Sequence, residues 1–368
     1  MPPPREGAPL AGLSPAYFGM VMATGIVSLA AHMLAMPLLA KTLFQLNIVF
    51  YAALWLLTVL RMLRYPRRFF GDMVDHLRGP GFFTTVASTS VLGSQFVVLA
   101  ADYRAATVLW IVALVLWIAL TYTIFAGLTI KERKPSLDQG ISGAWLLAVV
   151  ATQSIAVLSG LLAAHIEQPY RLELNFLALS MWLWGGMLYI WMMSLIFYRY
   201  TFFPFSPGDL SPPYWINMGA MAISTLAGAL LVKQAPASPF LASMLPFLKG
   251  FTLLYWATAT WWIPMLIILG LWRHVARQVP LTYDPLYWGA VFPLAMYTSA
   301  TYRLTEAFGL PFLLAVPRIS VAAALTAWLL TFLGLVLSLL QGARRARGLK
   351  VLAAPSLEPA LDAARRPS

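Results

Sequence analysis

The chain has 368 residues, 60% of them hydrophobic and 10% charged, with 14 Trp and no Cys, far from the roughly 25% charged of a soluble domain. This balance excludes an ordinary soluble fold and leaves room for many spans of about 20 residues but no sizeable soluble domain; the lack of Cys excludes disulfides, thiolate metal sites and cysteine nucleophiles. The formal charge of +12 does not point to nucleic acid, because its carriers are scattered over the ends of apolar runs instead of gathered in one basic domain.

In chain order, the Pro-rich stretch "MPPPREGAPLAGLSP" (1–15) reads as a short N-tail that leads into a full-length span, expected to be retained and not cleaved as a signal peptide. Apolar runs, interrupted by charges or by Pro and Gly, then predict ten spans. They lie near 16–36, 42–63, 81–101, 106–130, 140–164, 174–198, 213–232, 247–272, 285–305 and 316–340. An even number puts both ends on one side. Sorting the Lys and Arg places 18 on that side and 7 on the other, so the positive-inside rule predicts cytoplasmic termini in a plasma membrane, the inner membrane in a bacterium. The basic stretches "RYPRRFF" (64–70) and "GARRARGLK" (342–350) fit as topology determinants at helix ends. No nucleic-acid partner is expected. The domain reading is an N-tail over 1–15, a transmembrane domain over 16–340 and a basic, disordered cytoplasmic C-tail over 341–368.

The odd-numbered spans share small and hydroxylated centres: "VMATGIVS" (21–28), "VASTSVLGSQ" (86–95), "VATQSIAVLSG" (150–160), "MAISTLAG" (221–228) and "LAMYTSATY" (294–302). Even spans such as "VLWIVALVLWIAL" are bulkier and richer in Trp and Leu. Mid-membrane hydroxyls need partners in backbone, neighbouring helices or water. The alternation therefore predicts an all-α integral membrane fold of ten helices in five hairpins, with the odd helices around a central pore and the even ones outside. Small residues that merely let helices pack closely are the alternative. The expected pore-lining positions are Thr24, Gly25, Ser28, Ser88, Thr89, Thr152, Ser224, Thr225, Thr298 and Ser299.

No Asp, Glu, Lys or Arg falls at the centre of a span, although ionisable groups there are the usual marks of proton relays and cation paths. Hydroxyls, backbone and positive mouths suit an anion instead. Arg303 and Glu306, one turn apart, are candidate mouth charges, or else an ordinary interfacial ion pair. The four His show no metal-ligand spacing, and neither a nucleophile elbow nor a phosphate loop is found, so no metal, no cofactor and no enzymatic activity is expected. The sharpest feature is Phe292-Pro293 in "YWGAVFPLAMYTS" (287–299). A proline inside a span bends the helix and can throw the preceding ring toward the axis as a hydrophobic gate.

Three stretches, "PAYFGMVMATGIVS" (15–28), "FYRYTFFPFSPGDLSPPYWINMGAMAISTLAG" (197–228) and "YWGAVFPLAMYT" (287–298), together resemble the tellurite-resistance/dicarboxylate transporter (TDT) family. That family includes bacterial TehA-type proteins, fungal malate and sulfite transporters and the plant slow-type anion channels. The resemblance implies ten helices in a quasi-fivefold ring, a homotrimer with one pore per subunit, and Phe292 as the plug of the ninth helix. Relatives often carry Gly-Thr-Gly where this chain has Ala23-Thr24-Gly25, and the Ala leaves slightly less room. The implied partners are the lipid bilayer and a small anion: chloride, nitrate, sulfite or a dicarboxylate. A proton-coupled malate-type carrier or a sulfite exporter is the alternative within transport. A membrane sensor or scaffold that moves nothing is the alternative outside it.

Overall fold

The computed structural model describes residues 10–168 and 170–352, and every regular element in them is helical. Ten long helices follow in order: α1 (Phe18–Met33), α2 (Pro37–Arg64), α3 (Phe83–Gln95), α4 (Tyr103–Ile130) and α5 (Leu147–Ala163), then α6 (Tyr170–Phe202), α7 (Ile216–Gln234), α8 (Leu245–Leu271), α9 (Trp288–Phe308) and α10 (Ala315–Leu352).

Each odd helix is reached through a single tight turn: Pro15–Tyr17, Gly79–Phe82, Gly143–Leu146, Pro212–Trp215 and Pro285–Tyr287. Proline suits these first positions because its fixed φ matches a helical start and its missing N–H would be unpaired there anyway. The free N–H groups are capped locally in three of the five. Ser14 Oγ accepts from the Ala16 N–H at 3.3 Å, Ser142 Oγ from Ala144 at 3.4 Å and the Asp284 carboxylate from Leu286 at 2.7 Å. At the opposite end α9 stops on Gly309, at a left-handed φ of 67° that glycine adopts without strain.

Among the described residues nine helical segments are long and apolar enough to cross a membrane. The exception to the expected ten is α9, which carries Tyr, Thr, Ser, Arg303 and Glu306 along its length. Its polarity has a physical reason: from Trp288 to Thr305 it is mostly buried against other helices and needs little lipid-compatible surface. The C-tail also departs from expectation, since α10 continues to Leu352 and 341–352 is helical. Residues 353–368, like 1–9 of the expected N-tail, lie outside the described residues.

The odd helices are buried along almost their whole length, whereas the even ones bury one stripe and expose large apolar side chains such as Leu56, Ile111, Ile190, Ile268 and Leu330. Within the buried set the neighbours are α1 with α3, α3 with α5, α5 with α7, α7 with α9, and α9 with α1 again. Each even helix packs on the odd helix that precedes it and touches the one that follows.

Aromatic side chains fix that outer layer to the inner one. Tyr51 of α2 bonds to Thr89 of α3 at 2.9 Å, the Trp117 indole of α4 donates to Thr152 of α5 at 2.9 Å, and Trp182 of α6 donates to the Ser224 carbonyl of α7 at 2.8 Å. Trp256 of α8 donates to Thr301 of α9 at 3.0 Å, and Trp328 of α10 donates back to Thr24 of α1 at 2.9 Å. In every case an even helix bonds to the next odd helix, and the last returns to the first.

Candidate functional site

Two cavities lie between the odd helices, one toward each end. The first is lined from the tight turns and the first helical turns: Ala16, Gly19 and Met22, Gly81 and Thr84, Ala144 and Leu147, Pro213 and Ile216, and Leu286 and Gly289, with Ser14, Arg78 and Asp284 at its rim. Its volume is about 310 Å³. All five odd helices turn their N-termini toward it, so the positive ends of their dipoles converge there. Arg78 Nη1 is 3.0 Å from Asp72 Oδ1, and the same carboxylate pairs with the buried Arg61. That network anchors the loop between α2 and α3 beside the rim.

The second cavity is narrow and apolar. Ile26 and Leu29 of α1, Val91 and Ser94 of α3, Ser154 and Val157 of α5, Ile223 and Leu226 of α7, and Met296 of α9 form its wall, with Arg303 at its outer limit. It holds about 30 Å³, room for about one or two waters. Arg303 Nη1 donates to Glu306 Oε2 at 2.7 Å, and Lys233 Nζ is 3.6 Å from the same oxygen.

Between the two sets of lining residues one helical turn on each of four odd helices belongs to neither. Those turns hold Ala87 of α3, Ala151 of α5, Gly219 and Ala220 of α7, and Phe292 of α9, all buried. Phe292 follows Gly289 by three positions and precedes Met296 by four, the spacing that keeps side chains on one helix face. It is fully buried, the one large side chain named at that turn. Pro293 packs against α7 at Gly219, where an added Cβ would stand 2.7 Å from the Pro293 ring.

None of the hydroxyls singled out in the sequence is among the residues that line these two cavities, and all but Ser299 have partners within or between helices. Thr24, Thr89 and Thr152 accept from α10, α2 and α4, as above. Ser28 donates to the Ala40 carbonyl of α2 at 2.7 Å, and Thr298 bonds to Ser320 of α10 at 2.8 Å. Ser88, Ser224 and Thr225 donate to carbonyls one turn back in their own helices. Gly25 lets α1 approach Val91, Asn47 and Gln95. Ser299 is buried, and its Oγ finds no partner among the described residues.

The side chains that do line the cavities, including Ser94, Ser154, Ile26 and Met296, were not singled out. A hydroxyl at mid-span satisfies itself on a neighbouring helix or one turn back in its own, so polarity alone does not separate helix–helix seams from cavity walls. The usable signal was the recurring cap, Pro or Gly, any residue, aromatic: Ser14-Pro15-Ala16-Tyr17, Ser142-Gly143-Ala144-Trp145, Ser211-Pro212-Pro213-Tyr214 and Asp284-Pro285-Leu286-Tyr287. The third residue of each unit lines the first cavity.

No group of three or more His, Asp or Glu that could hold a metal occurs among the described residues. What the fold and cavities define is a multi-pass membrane protein in which buried helices enclose two cavities in line. The chain belongs to the SLAC1 family, described as voltage-dependent anion channels, whose family model matches residues 12–336. A membrane protein of Mycobacterium tuberculosis (strain ATCC 25618 / H37Rv) called uncharacterized is 39% identical over 149 residues, which are 40% of this chain and 75% of that protein. An uncharacterized transporter of Methanocaldococcus jannaschii is 26% identical over 304 residues, 80% of this chain and 85% of the relative. A sulfite efflux pump of Arthroderma benhamiae is 22% identical over 329 residues, 82% of this chain and 84% of the pump.

Proposed function

We propose that the chain conducts small anions along the axis between its odd helices, and that Phe292 plugs that axis. The observation that carries this reading is the interruption between two cavities at one turn that holds small buried residues on three helices and a single large buried side chain, Phe292, on a fourth. The arrangement proposed is five hairpins in a quasi-fivefold ring, with pore walls formed by the cavity residues named above. Thr24, Ser28, Thr89, Thr152 and Thr298 then serve as seams that hold the ring. Five helix N-termini favour a negative charge at the inner mouth without a fixed cation on the axis. Arg303 does the same at the outer mouth, moderated by Glu306. With 18 of 25 Lys and Arg on the side of the termini, the inner cavity faces the cytoplasm and the membrane is the plasma membrane. The homotrimer is carried by the family resemblance.

Among the described residues no carboxylate is buried, the only buried ionised side chains being Arg61 and Arg199. That favours passive anion movement over proton coupling, which needs a titrating group in the path. A second reading, sulfite as the physiological anion, is favoured by the fungal relatives named sulfite efflux pumps. Reconstitution into proteoliposomes with an ion-substitution series of chloride, nitrate, sulfite and malate tests both readings. Phe292→Ala is expected to raise flux of the permeant anion severalfold; a correctly folded variant with wild-type flux would remove the plug from the mechanism. Saturable malate uptake dependent on a proton gradient would replace the channel by a carrier.

A further inference from the structure

Beside the narrow outer cavity lies a wider lateral chamber of about 340 Å³, walled by the outer ends of α5 and α7, the first turns of α6 and one turn of α9. It shares Leu161, Leu230 and Arg303 with the axial cavity, so the two adjoin at Arg303. Its charges are unbalanced. Arg171, Lys233 and Arg303 line it, and the carboxylate paired with them is that of Glu306, which accepts from Arg303 and lies beside Lys233. Arg171 is held in place because its Nε donates to the Ile166 carbonyl at 2.7 Å.

The wall also contains Asn175, at the second turn of α6, fully buried. Neither its Nδ2 nor its Oδ1 has a hydrogen-bond partner among the described residues. A buried amide with both donor and acceptor unmet is costly in any structure, and at the head of the buried stripe of α6, continued by Ala178, Leu179 and Trp182, Leu or Val would serve packing better. A turn of this side chain from its occluded position would present N–H donors and one acceptor oxygen to the cationic chamber. Chloride and nitrate can use only the N–H. An oxyanion that carries its own hydroxyl uses both: a negative oxygen accepts from Nδ2 and from the cations, and the hydroxyl donates to Oδ1.

We propose that this chamber is a binding site for a hydroxyl-bearing oxyanion of the hydrogenphosphate or hydrogensulfite class, held by Asn175, Arg171, Lys233 and Arg303. The same chemistry is offered by a free anion and by the glycerol-phosphate headgroup of a lipid, and the site lies at the first turns of α6. Its service as an antechamber to the axis rests on the channel reading above; binding itself does not.

Titration calorimetry on the purified full-length chain in detergent, with sodium phosphate, sodium sulfite and sodium nitrate as probes, reads the site directly. Phosphate or sulfite is expected to bind once per chain, at least about tenfold tighter than nitrate, the worth of one well-made hydrogen bond to a charged group. Asn175→Leu and Arg171→Gln should each weaken that binding by about tenfold or more. In Asn175→Leu the loss should come with an unchanged or higher Tm, because an unmet buried amide has been removed. Should the Leu variant fail to fold, Arg171→Gln and the wild-type preference over nitrate decide alone. Native mass spectrometry of chain purified from phosphatidylglycerol or phosphatidylcholine bilayers separates the sources. Retention of phosphatidylglycerol by the wild type alone, without free phosphate binding, assigns the oxyanion to a lipid headgroup. Equal affinity for nitrate, unaltered binding in both variants, or no binding of phosphate, sulfite or phosphatidylglycerol overturns the proposal. None of these outcomes depends on flux, so the Phe292→Ala measurement succeeds or fails separately.

Discussion

Gly219 shows how one missing methyl group positions the axis. It faces the Pro293 ring, and an added Cβ would come within 2.7 Å of a ring carbon and 3.2 Å of the Pro293 Cα. Neither atom belongs to the far end of a flexible chain, so α7 and α9 would have to separate. Gly219→Ala is therefore expected to cost about 1–3 kcal/mol, the range for overpacking a tight contact, and to lower Tm in detergent. Because Phe292 precedes that proline, anion flux should change in the same variant. A Tm and flux indistinguishable from wild type would mean that the helices yield without disturbing the ring. Sequence alone pointed to Phe292 and Pro293, since a proline in an apolar run is visible as a bend. It gave no hint that a glycine on another helix accepts the proline, because that match exists only once α7 lies against α9.

Helix pairs carry the next layer of argument, and the aromatic seams are its clearest expression. Each indole or phenol reaches from an even helix to the next odd one, so removing one polar tip should loosen one seam and leave the others intact. Trp117→Phe and Trp328→Phe keep most of the ring's area and delete the donor; each is expected to cost about 0.6 kcal/mol and at most about 1.7, as for interhelical bonds in bilayers. The two seams lie on different helix pairs with no shared partner, so the double variant should show nearly additive loss of Tm. Strong coupling would mean that the ring responds as a unit. The inner ends of α2 and α6 are tied in parallel fashion. Arg61 bonds to the Ala11 carbonyl and pairs with Asp72, while Arg199 bonds to the Asp138 carbonyl and pairs with Asp209 at 3.2 Å. Asp209 also accepts from the Ser206 hydroxyl and N–H, both at 2.7 Å. These Ser206 bonds, followed by the Arg199 charge, hold its carboxyl below the usual value against the opposing effect of burial. A lowered folded pKa stabilises above the unfolded value and is lost as pH falls through the folded one. Asp209→Asn should thus destabilise the fold at neutral pH and lower Tm, by less than about 1 kcal/mol because the carboxylate side of the pair is 35% exposed. The gap to wild type should close on acidification; a gap independent of pH would assign the effect to lost geometry instead of charge.

At the scale of the molecule, alternation of bulky and small spans made the inner and outer layers legible, because lipid-facing helices need large apolar side chains and packed helices need small ones. It did not locate the cavity walls, because several mid-span hydroxyls bond across helix seams and the narrow cavity is walled largely by Ile, Leu, Val and Met. The long helix that falls short of a membrane-crossing composition, α9, is still mostly enclosed, for the same reason: burial in protein relaxes the demand for hydrophobicity. The absence of Cys from the chain makes the division of the axis directly testable. Ala16→Cys places a thiol in the inner cavity and Ser154→Cys places one in the outer, with no other thiol to react. If Phe292 separates the two, a charged methanethiosulfonate reagent should modify Ala16→Cys only from the side of the termini and Ser154→Cys only from the opposite side, the latter slowly because that cavity is narrow. With Phe292→Ala added, each thiol should become reactive from both sides, provided the outer cavity widens enough to pass the reagent. Small silver ions, which need less room than an organic reagent, test the same point without that requirement. Access of silver to both thiols from either side in the presence of Phe292 would place the barrier elsewhere, and the narrow apolar segment between Ile26 and Met296 would then be the next position to examine by the same substitution.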